Sequence, residues 1–234
     1  MSITLKAVAL DGGRVQVQSP VGMGGSFSSI LDVRLANQGN HVQEFTAGSA
    51  GWGAEVAYDR GIERLDQMDF ISGGWLHIGR TEVYEPVLKW VEVFSMAVWE
   101  GRRWSLFTHR YGESSTQELL SLFEQFDVIE EERGVALWPR NSASAVLDKG
   151  ASVVFELDDL GLIEIVELNR QTAAQLPRWK GTPTAGGELF LRRATEQPSF
   201  VLVTPSAVAF IQAPELRHRQ VHLAAELTIQ WRRT

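Results

Sequence analysis

Residues 87–109 read VLKWVEVFSMAVWEGRRWSLFTH, and the fold class turns on this stretch. Two apolar-rich runs, Val87–Trp99 and Arg103–His109, flank the turn-prone Glu100-Gly101-Arg102 and predict a β-hairpin. With Gly101-Arg102 as a two-residue loop, Trp99 stands opposite Trp104 and Glu100 opposite Arg103. Side chains alternate across a strand, so Phe94, Met96, Val98 and Phe107 share one face. Ala97, Trp99, Trp104 and Leu106 share the other. A strand apolar on both faces is covered on both, which puts this hairpin at the centre of the fold.

Downstream, Ser115-Thr116-Gln117-Glu118 is a capping box, and Leu119, Leu122, Phe123 and Phe126 recur at helical spacing. A helix over 115–126 should therefore lay its apolar stripe on the hairpin's sheet. Val128–Glu131 and Val135–Trp138 then form a second hairpin around Glu132-Arg133-Gly134.

Upstream, Thr4–Leu10 and Arg14–Gln18 make a hairpin on Asp11-Gly12-Gly13, where Asp-Gly supplies the positive φ of a tight turn. Short strands are expected at Ile30–Leu35 and Val42–Thr46, separated by Asn37-Gln38-Gly39-Asn40. Glycine-rich breaks stand at Gly22–Ser29 and Gly48–Gly53. Beyond residue 150, strands are expected at Val153–Leu157, Leu162–Leu168, Leu189–Arg192, Phe200–Thr204 and Val208–Gln212. A short helix over 169–176 ends at Pro177. Val221, Leu223, Ala225, Leu227, Ile229 and Trp231 alternate with polar or small residues and predict a terminal strand.

The fold class that follows is α+β: predominantly antiparallel β hairpins and meanders, with one amphipathic helix (about 115–126) packed on the sheet. Pro139 to Gly150 is small, polar and turn-prone. It suggests a β-rich domain over 1–140 and a smaller one over 150–234, or a single domain with a long connection.

Composition narrows the function. The chain has 234 residues, 44% hydrophobic and 22% charged, enough apolar surface to build a core rather than stay disordered. No run of about 18 apolar residues is present, so no membrane span is expected, and Met1 to Lys6 does not read as a signal peptide. A cytoplasmic protein, or a part of a particle assembled in the cytoplasm, is the expectation. The net charge of −7 argues against a nucleic-acid partner. Only four of the 22 basic residues are lysine, a skew that suits a GC-rich genome. Absence of cysteine removes disulfides, thiol nucleophiles and thiolate zinc sites. Eight tryptophans suit a core or an interface equally.

Each candidate site has a bland competitor. His218, His222 and Glu226 would share a face on a helix; on a strand, residues four apart lie ~13 Å from each other, beyond the reach of one ion. No metal and no cofactor is therefore expected. Gly22-Met23-Gly24-Gly25-Ser26 lacks the Gly-Lys-Ser/Thr ending of a phosphate-binding loop. Ser49 lacks both the leading glycine and the strand–turn–helix context of a nucleophile elbow. His109, closing a central strand beside Arg110, Tyr111 and Glu113, is the weak candidate for a general acid or base. His77 could lie near it. Glu130-Glu131-Glu132, Asp127 and Asp158-Asp159 read as solvated turns that could face a basic partner.

The run from Val93 through Trp99-Glu100-Gly101-Arg102-Arg103-Trp104 to Phe126-Asp127-Val128 resembles the closing strand–strand–helix of small PsbP-like α/β sandwiches. That resemblance implies a sheet with one helix packed on it and, for many such domains, a protein partner. It carries no functional residue. Three functions are thus in view. The leading one is a non-catalytic protein-binding, assembly or adaptor module of a bacterial or phage-encoded complex, as a homo-oligomer or part of a larger assembly. Its contacts would come from Gly22, Gly24, Gly25, Gly48, Gly51 and Trp52. The alternatives are an acidic inhibitor or immunity-type protein, and a hydrolase or nuclease using His109.

Overall fold

The computed structural model describes residues 2–25, 27–36, 41–85, 90–112, 114–148, 150–192, 199–213 and 218–233. The separating segment Asn37-Gln38-Gly39-Asn40, the expected strand residues Val87 to Lys89, and Ser26 and Glu113 lie outside them.

In chain order the elements begin with β1 (Ile3–Val8), β2 (Arg14–Ser19), β3 (Ser28–Leu35), β4 (His41–Ser49) and α1 (Trp52–Asp59). Next come β5 (Asp66–Ile71), β6 (Gly74–Glu85), β7 (Trp90–Glu100), β8 (Trp104–Tyr111) and α2 (Thr116–Phe123). They continue with β9 (Phe126–Glu131), β10 (Gly134–Pro139), β11 (Ala145–Leu147), β12 (Ser152–Leu157), β13 (Gly161–Glu167) and α3 (Arg170–Ala173). Last are β14 (Thr182–Pro183), β15 (Glu188–Arg192), β16 (Ser199–Val203), β17 (Ala207–Gln212), α4 (His218–Glu226) and β18 (Thr228–Arg232). The protein is β-rich and mostly antiparallel. The one amphipathic helix of the sequence reading, with the short helix over 169–176, is corrected to four helices among the described residues. The chain divides into two units, residues 1–29 with 150–234, and residues 30–149.

In the unit of residues 30–149 the strand order is β3-β4-β8-β7-β6-β5, with β11 pairing β3. The central hairpin is β7–β8, but its register differs from the two-residue loop. Val98 stands opposite Phe107, Trp99 opposite Leu106 and Glu100 opposite Ser105. The cause lies outside the hairpin. The backbone N–H groups of Arg102 (3.1 Å), Arg103 (2.5 Å) and Trp104 (3.2 Å) all donate to the Glu130 carboxylate on β9. Gly101 N–H donates to the Trp104 carbonyl at 2.9 Å, so the turn closes on Arg102-Arg103, one position further along the chain. A shift of two keeps every side chain on its face, so the expected partition of apolar groups survives.

One face is covered by α1 and the chain after it, where Ala57 and Ile62 join Phe94, Met96, Val98 and Phe107 in one core cluster. The sequence reading has no helix here, because Gly51 and Gly53 look like breakers. Gly53 is instead a contact residue: a Cβ there would lie 2.4 Å from Ser105 Oγ and 2.6 Å from Val98. Only glycine lets the helix backbone rest on the strand, where Gly53 N–H donates to Ser105 Oγ at 3.0 Å. On the opposite face, Phe45 packs edge-on against Phe123 and Phe126, with ring centroids 5.7 and 5.3 Å away. The α2 stripe of Leu119, Leu122 and Phe123 is fully buried. Its capping box forms as expected, Glu118 N–H donating to Ser115 Oγ at 3.1 Å and Ser115 N–H to Glu118 Oε2 at 2.6 Å. The helix is shorter than 115–126, because Phe126 already opens β9.

In the other unit the strand orders are β14-β15-β16-β17-β13-β12 and β18-β2-β1. The β1–β2 hairpin closes as the sequence predicts: Gly12 has φ +79, and Asp11 Oδ1 accepts the Gly13 N–H at 3.0 Å. Residues 221–227, expected as strand, belong instead to α4 and its exit, and strand structure begins only at Thr228. The buried positions are Gln220, Leu223, Ala224 and Leu227, the i, i+3, i+4, i+7 set of a helix. Val221, which alternation puts inside, is 40% exposed. From Ile229 and Trp231 onward the alternation does mark a half-buried strand.

Candidate functional site

His109 lies on β8 at the mouth of an open groove of about 580 Å3 in the 30–149 unit. Neighbours in a strand point to opposite faces, and this separates the residues that sequence proximity had grouped. Arg110 turns to the face opposite His109, where its Nε donates to Gln43 Oε1 at 2.8 Å. Gln43 in turn donates from Nε2 to Thr108 Oγ1 at 2.5 Å and to the His109 carbonyl at 2.9 Å. Its side-chain oxygen and amide nitrogen are thus both engaged in a buried network that pins β4 to β8. Tyr111 does share the face of His109, with ring centroids 5.8 Å apart and edge-on, while Phe94 packs at 5.4 Å. Glu113 is outside the described residues. His77 is on the same face but on β6, with β7 between, ~12 Å away by lattice spacing.

Half-burial among aromatic rings pushes the His109 imidazole below the ordinary histidine value of 6.5; Glu44 opposes the shift and Arg60 adds to it. The groove therefore holds a neutral imidazole near pH 7, chemically able to accept a proton. The sign for stability follows from linkage. Below pH 6.5 the unfolded chain binds a proton at this site that the folded chain refuses until its lower pKa is reached, so acidification costs stability over that interval. His109→Gln should flatten the fall of unfolding free energy between pH 7 and 5, measured by urea denaturation at stepped pH. An unchanged slope would show that His109 titrates normally.

The remaining candidates sort by what they touch. On α4, His218, His222 and Glu226 do share a helix face, which corrects the argument that strand spacing separates them. His222 Nε2 lies 2.8 Å from Glu226 Oε1, an i, i+4 pair. Among the described residues no group of three His, Asp or Glu side chains is placed to hold a metal ion. Ser49 does sit in a strand–turn–helix, between β4 and α1, which corrects its stated context. Residue 47 remains alanine, and no hydrogen bond joins Ser49 Oγ to a base among the described residues.

The proposed contact glycines are held from below. A Cβ on Gly22 would lie 2.5 Å from Asp158 Oδ2, and Gly24 N–H donates to the Glu156 carbonyl at 3.0 Å. Gly48 lies against the Trp52 ring, and Trp52 packs edge-on on Phe107 at 5.3 Å. Gly25 and Gly51 face open space, Gly51 with φ +84 and its N–H on Glu100 Oε2 at 3.1 Å. Two of the acidic turns are also spoken for: Glu130 caps the 101–104 loop, and Asp159 pairs with Arg219 at 2.5 Å. The Glu130 cap was missed because the carboxylate and the amides it accepts are 26 to 28 residues apart.

No helix among the described residues is long and apolar enough to cross a membrane. Comparison with protein families, with curated proteins and with solved structures returns no match.

Proposed function

We propose that this chain is a non-catalytic protein-binding module, an assembly or adaptor part of a bacterial or phage-encoded complex. The observation that carries the reading is an exposed apolar cluster on the outermost strands of the 30–149 unit. Phe70 on β5 and Trp75 on β6 pack edge-on at 5.0 Å while remaining 55% and 45% exposed. Met68, two residues before Phe70 at the register shift of β5, is 39% exposed. Covering the two rings would remove on the order of 200 Å2 of apolar surface, about 5 kcal/mol at 25 cal/mol per Å2. Aromatic anchors of that size are what interface centres use.

Contact through the ring faces suits this strand better than sheet extension. β5 carries a register shift between Gln67 and Asp69 and the charged Asp66 and Asp69, features that blunt an open edge. β14, at the end of the strand order in the other unit, has two residues, one of them Pro183. The loops at Gly22–Ser29 and Gly48–Gly53 remain part of the proposal at their open positions, Gly25 and Gly51.

The test is the native mass of the tagged protein in its own host lysate, with co-purifying proteins identified, for the natural chain and for Phe70→Ser/Trp75→Ser. The natural chain should enter a stoichiometric complex that the double variant leaves, with the thermal midpoint kept. A lone monomer, or a complex indifferent to both substitutions, overturns the reading. The neutral imidazole in its groove favours a second reading, a hydrolase or nuclease. That reading requires His109→Ala to abolish turnover of a screened substrate without unfolding the chain. The inhibitor reading draws less support, since Glu130 and Asp159 spend their charge within the chain.

A further inference from the structure

We propose that the exposed aromatic pair of β5 and β6 binds an arginine side chain of a partner protein, with Glu100 supplying the opposite charge. The proposal rests on the protein-binding reading above and names the partner's chemistry. The register decides which groups meet. Phe70 on β5 stands opposite Trp75 on β6, and Trp75 stands opposite Glu100 on β7. Directly opposed residues share a face with Cβ atoms ~5 Å apart, so two rings and a carboxylate form one row. On the next rung of that face, His77, Val98 and Phe107 stand opposite one another in turn, and Val98 and Phe107 belong to the cluster that α1 covers. Phe70 and Trp75 lie outside that cluster and stay half-exposed.

Glu100 is engaged on one oxygen only. Its Oε2 accepts the Gly51 N–H at 3.1 Å. Its Oε1 is buried and accepts no hydrogen bond among the described residues. Arg102 and Arg103 follow it in the chain, yet among the described residues no ion pair ties Glu100 to either. A buried carboxylate oxygen without a partner is unfavourable, and a cation brought close offsets that cost. The acids of β5 differ in this respect. Asp66 pairs with Arg64 at 2.6 Å, and Asp69 Oδ1 accepts the Phe70 N–H at 2.7 Å.

The rings suit a flat cation. The Phe70 and Trp75 planes meet at 66° with centroids 5.0 Å apart, the two walls of an open corner. A cation within ~6 Å of a ring centroid is attracted by the negative ring face, most strongly for Trp. The carboxylate one position along the row adds an attraction that acts without direct contact. Arginine fits this arrangement better than lysine. Its guanidinium is planar, weakly hydrated and stacks on aromatic faces, whereas an ammonium needs donors placed directly on oxygen, and Oε1 lies below the surface. An apolar anchor would gain from the rings and nothing from Glu100. The net charge of −7 also favours the approach of a basic segment.

The probe is a fluorescein-labelled octapeptide of alternating Arg and Ser, titrated with the full chain by anisotropy at low salt, beside peptides with Lys or Leu in place of Arg. The Arg peptide should bind about fivefold more tightly than either, and Trp75→Ser should abolish that preference. Glu100→Gln keeps an acceptor for the Gly51 N–H. It should weaken the Arg peptide about fivefold with the thermal midpoint in place. Glu124→Gln removes one exposed charge at the end of α2 and should leave binding unchanged, which separates the site from the net charge.

Absence of Arg-peptide binding, equal or tighter binding of the Lys or Leu peptide, or a Glu100→Gln chain that binds as Glu124→Gln does each overturns the proposal. The lysate complex separates this site from the reading it rests on. A stoichiometric complex that needs Phe70 and Trp75 but survives Glu100→Gln removes the arginine site alone. Absence of any complex removes the protein-binding reading and this site with it.

Discussion

Trp99→Ala is expected to lower the unfolding free energy by about 3–5 kcal/mol, the range for emptying a large aromatic site in a core. Trp99 has no exposed surface. Its Nε1–H donates to the Ile71 carbonyl at 2.7 Å, which ties β7 to the β5–β6 turn. Two glycines let backbone lie flat on the ring. A Cβ on Gly74 would stand 2.3 Å from Cε2, and one on Gly101 2.6 Å from Cη2. Neither backbone can collapse into the vacated space without breaking its turn, so a cavity should remain. Trp99→Phe keeps most of the contact and removes the buried hydrogen bond to the Ile71 carbonyl, for a loss of about 1–3 kcal/mol. Urea denaturation of the three chains measures both. A loss below about 1.5 kcal/mol for Trp99→Ala would mean that the hairpin is not the centre of this unit.

Gly48→Ala is expected to cost about 1–3 kcal/mol, because its Cβ would overlap the Trp52 ring at 2.1 Å from Cε3. The ring has little room to retreat, since Phe107 and the α1 core lie behind it. The double variant Gly48→Ala/Trp52→Ala should therefore be no less stable than Trp52→Ala alone, a coupling of about 1–3 kcal/mol in a double-mutant cycle. Additive losses would mean that the strain falls on the backbone instead of the ring. The cycle also bears on partner binding at this loop: substitutions at Gly48 and Trp52 must be read against their own stability loss, whereas Gly25 carries no such penalty.

The tryptophans show how far composition alone reaches. Trp99, Trp104 and Trp231 are buried, whereas Trp75, Trp138 and Trp179 are 45%, 39% and 57% exposed. Both buried and exposed tryptophans occur, and no feature of the residue type separates them. Trp75 is marked as a contact candidate only by its ring partner Phe70 on β5, a strand that the sequence reading leaves unassigned.

Signals contained within a few residues determined much of this protein by themselves. The capping box at Ser115, the Asp-Gly turn at 11–12, and the two faces of the β7–β8 hairpin were all legible. Each depends on local hydrogen bonds or on the period of two, which a register shift of two leaves intact. Tertiary structure alone decided what depends on distant partners. Residues 221–226 alternate like a strand, yet they lie in a helix because the core takes Gln220, Leu223, Ala224 and Leu227. Gly53 reads as a breaker and serves as a contact, because Ser105 and Val98 lie beneath it. The turn at Arg102-Arg103 sits one position along from the local expectation, with its amides on a carboxylate from another hairpin. In each case the deciding free energy is burial or a hydrogen bond supplied by residues far off in the chain, and local pattern carries no record of them.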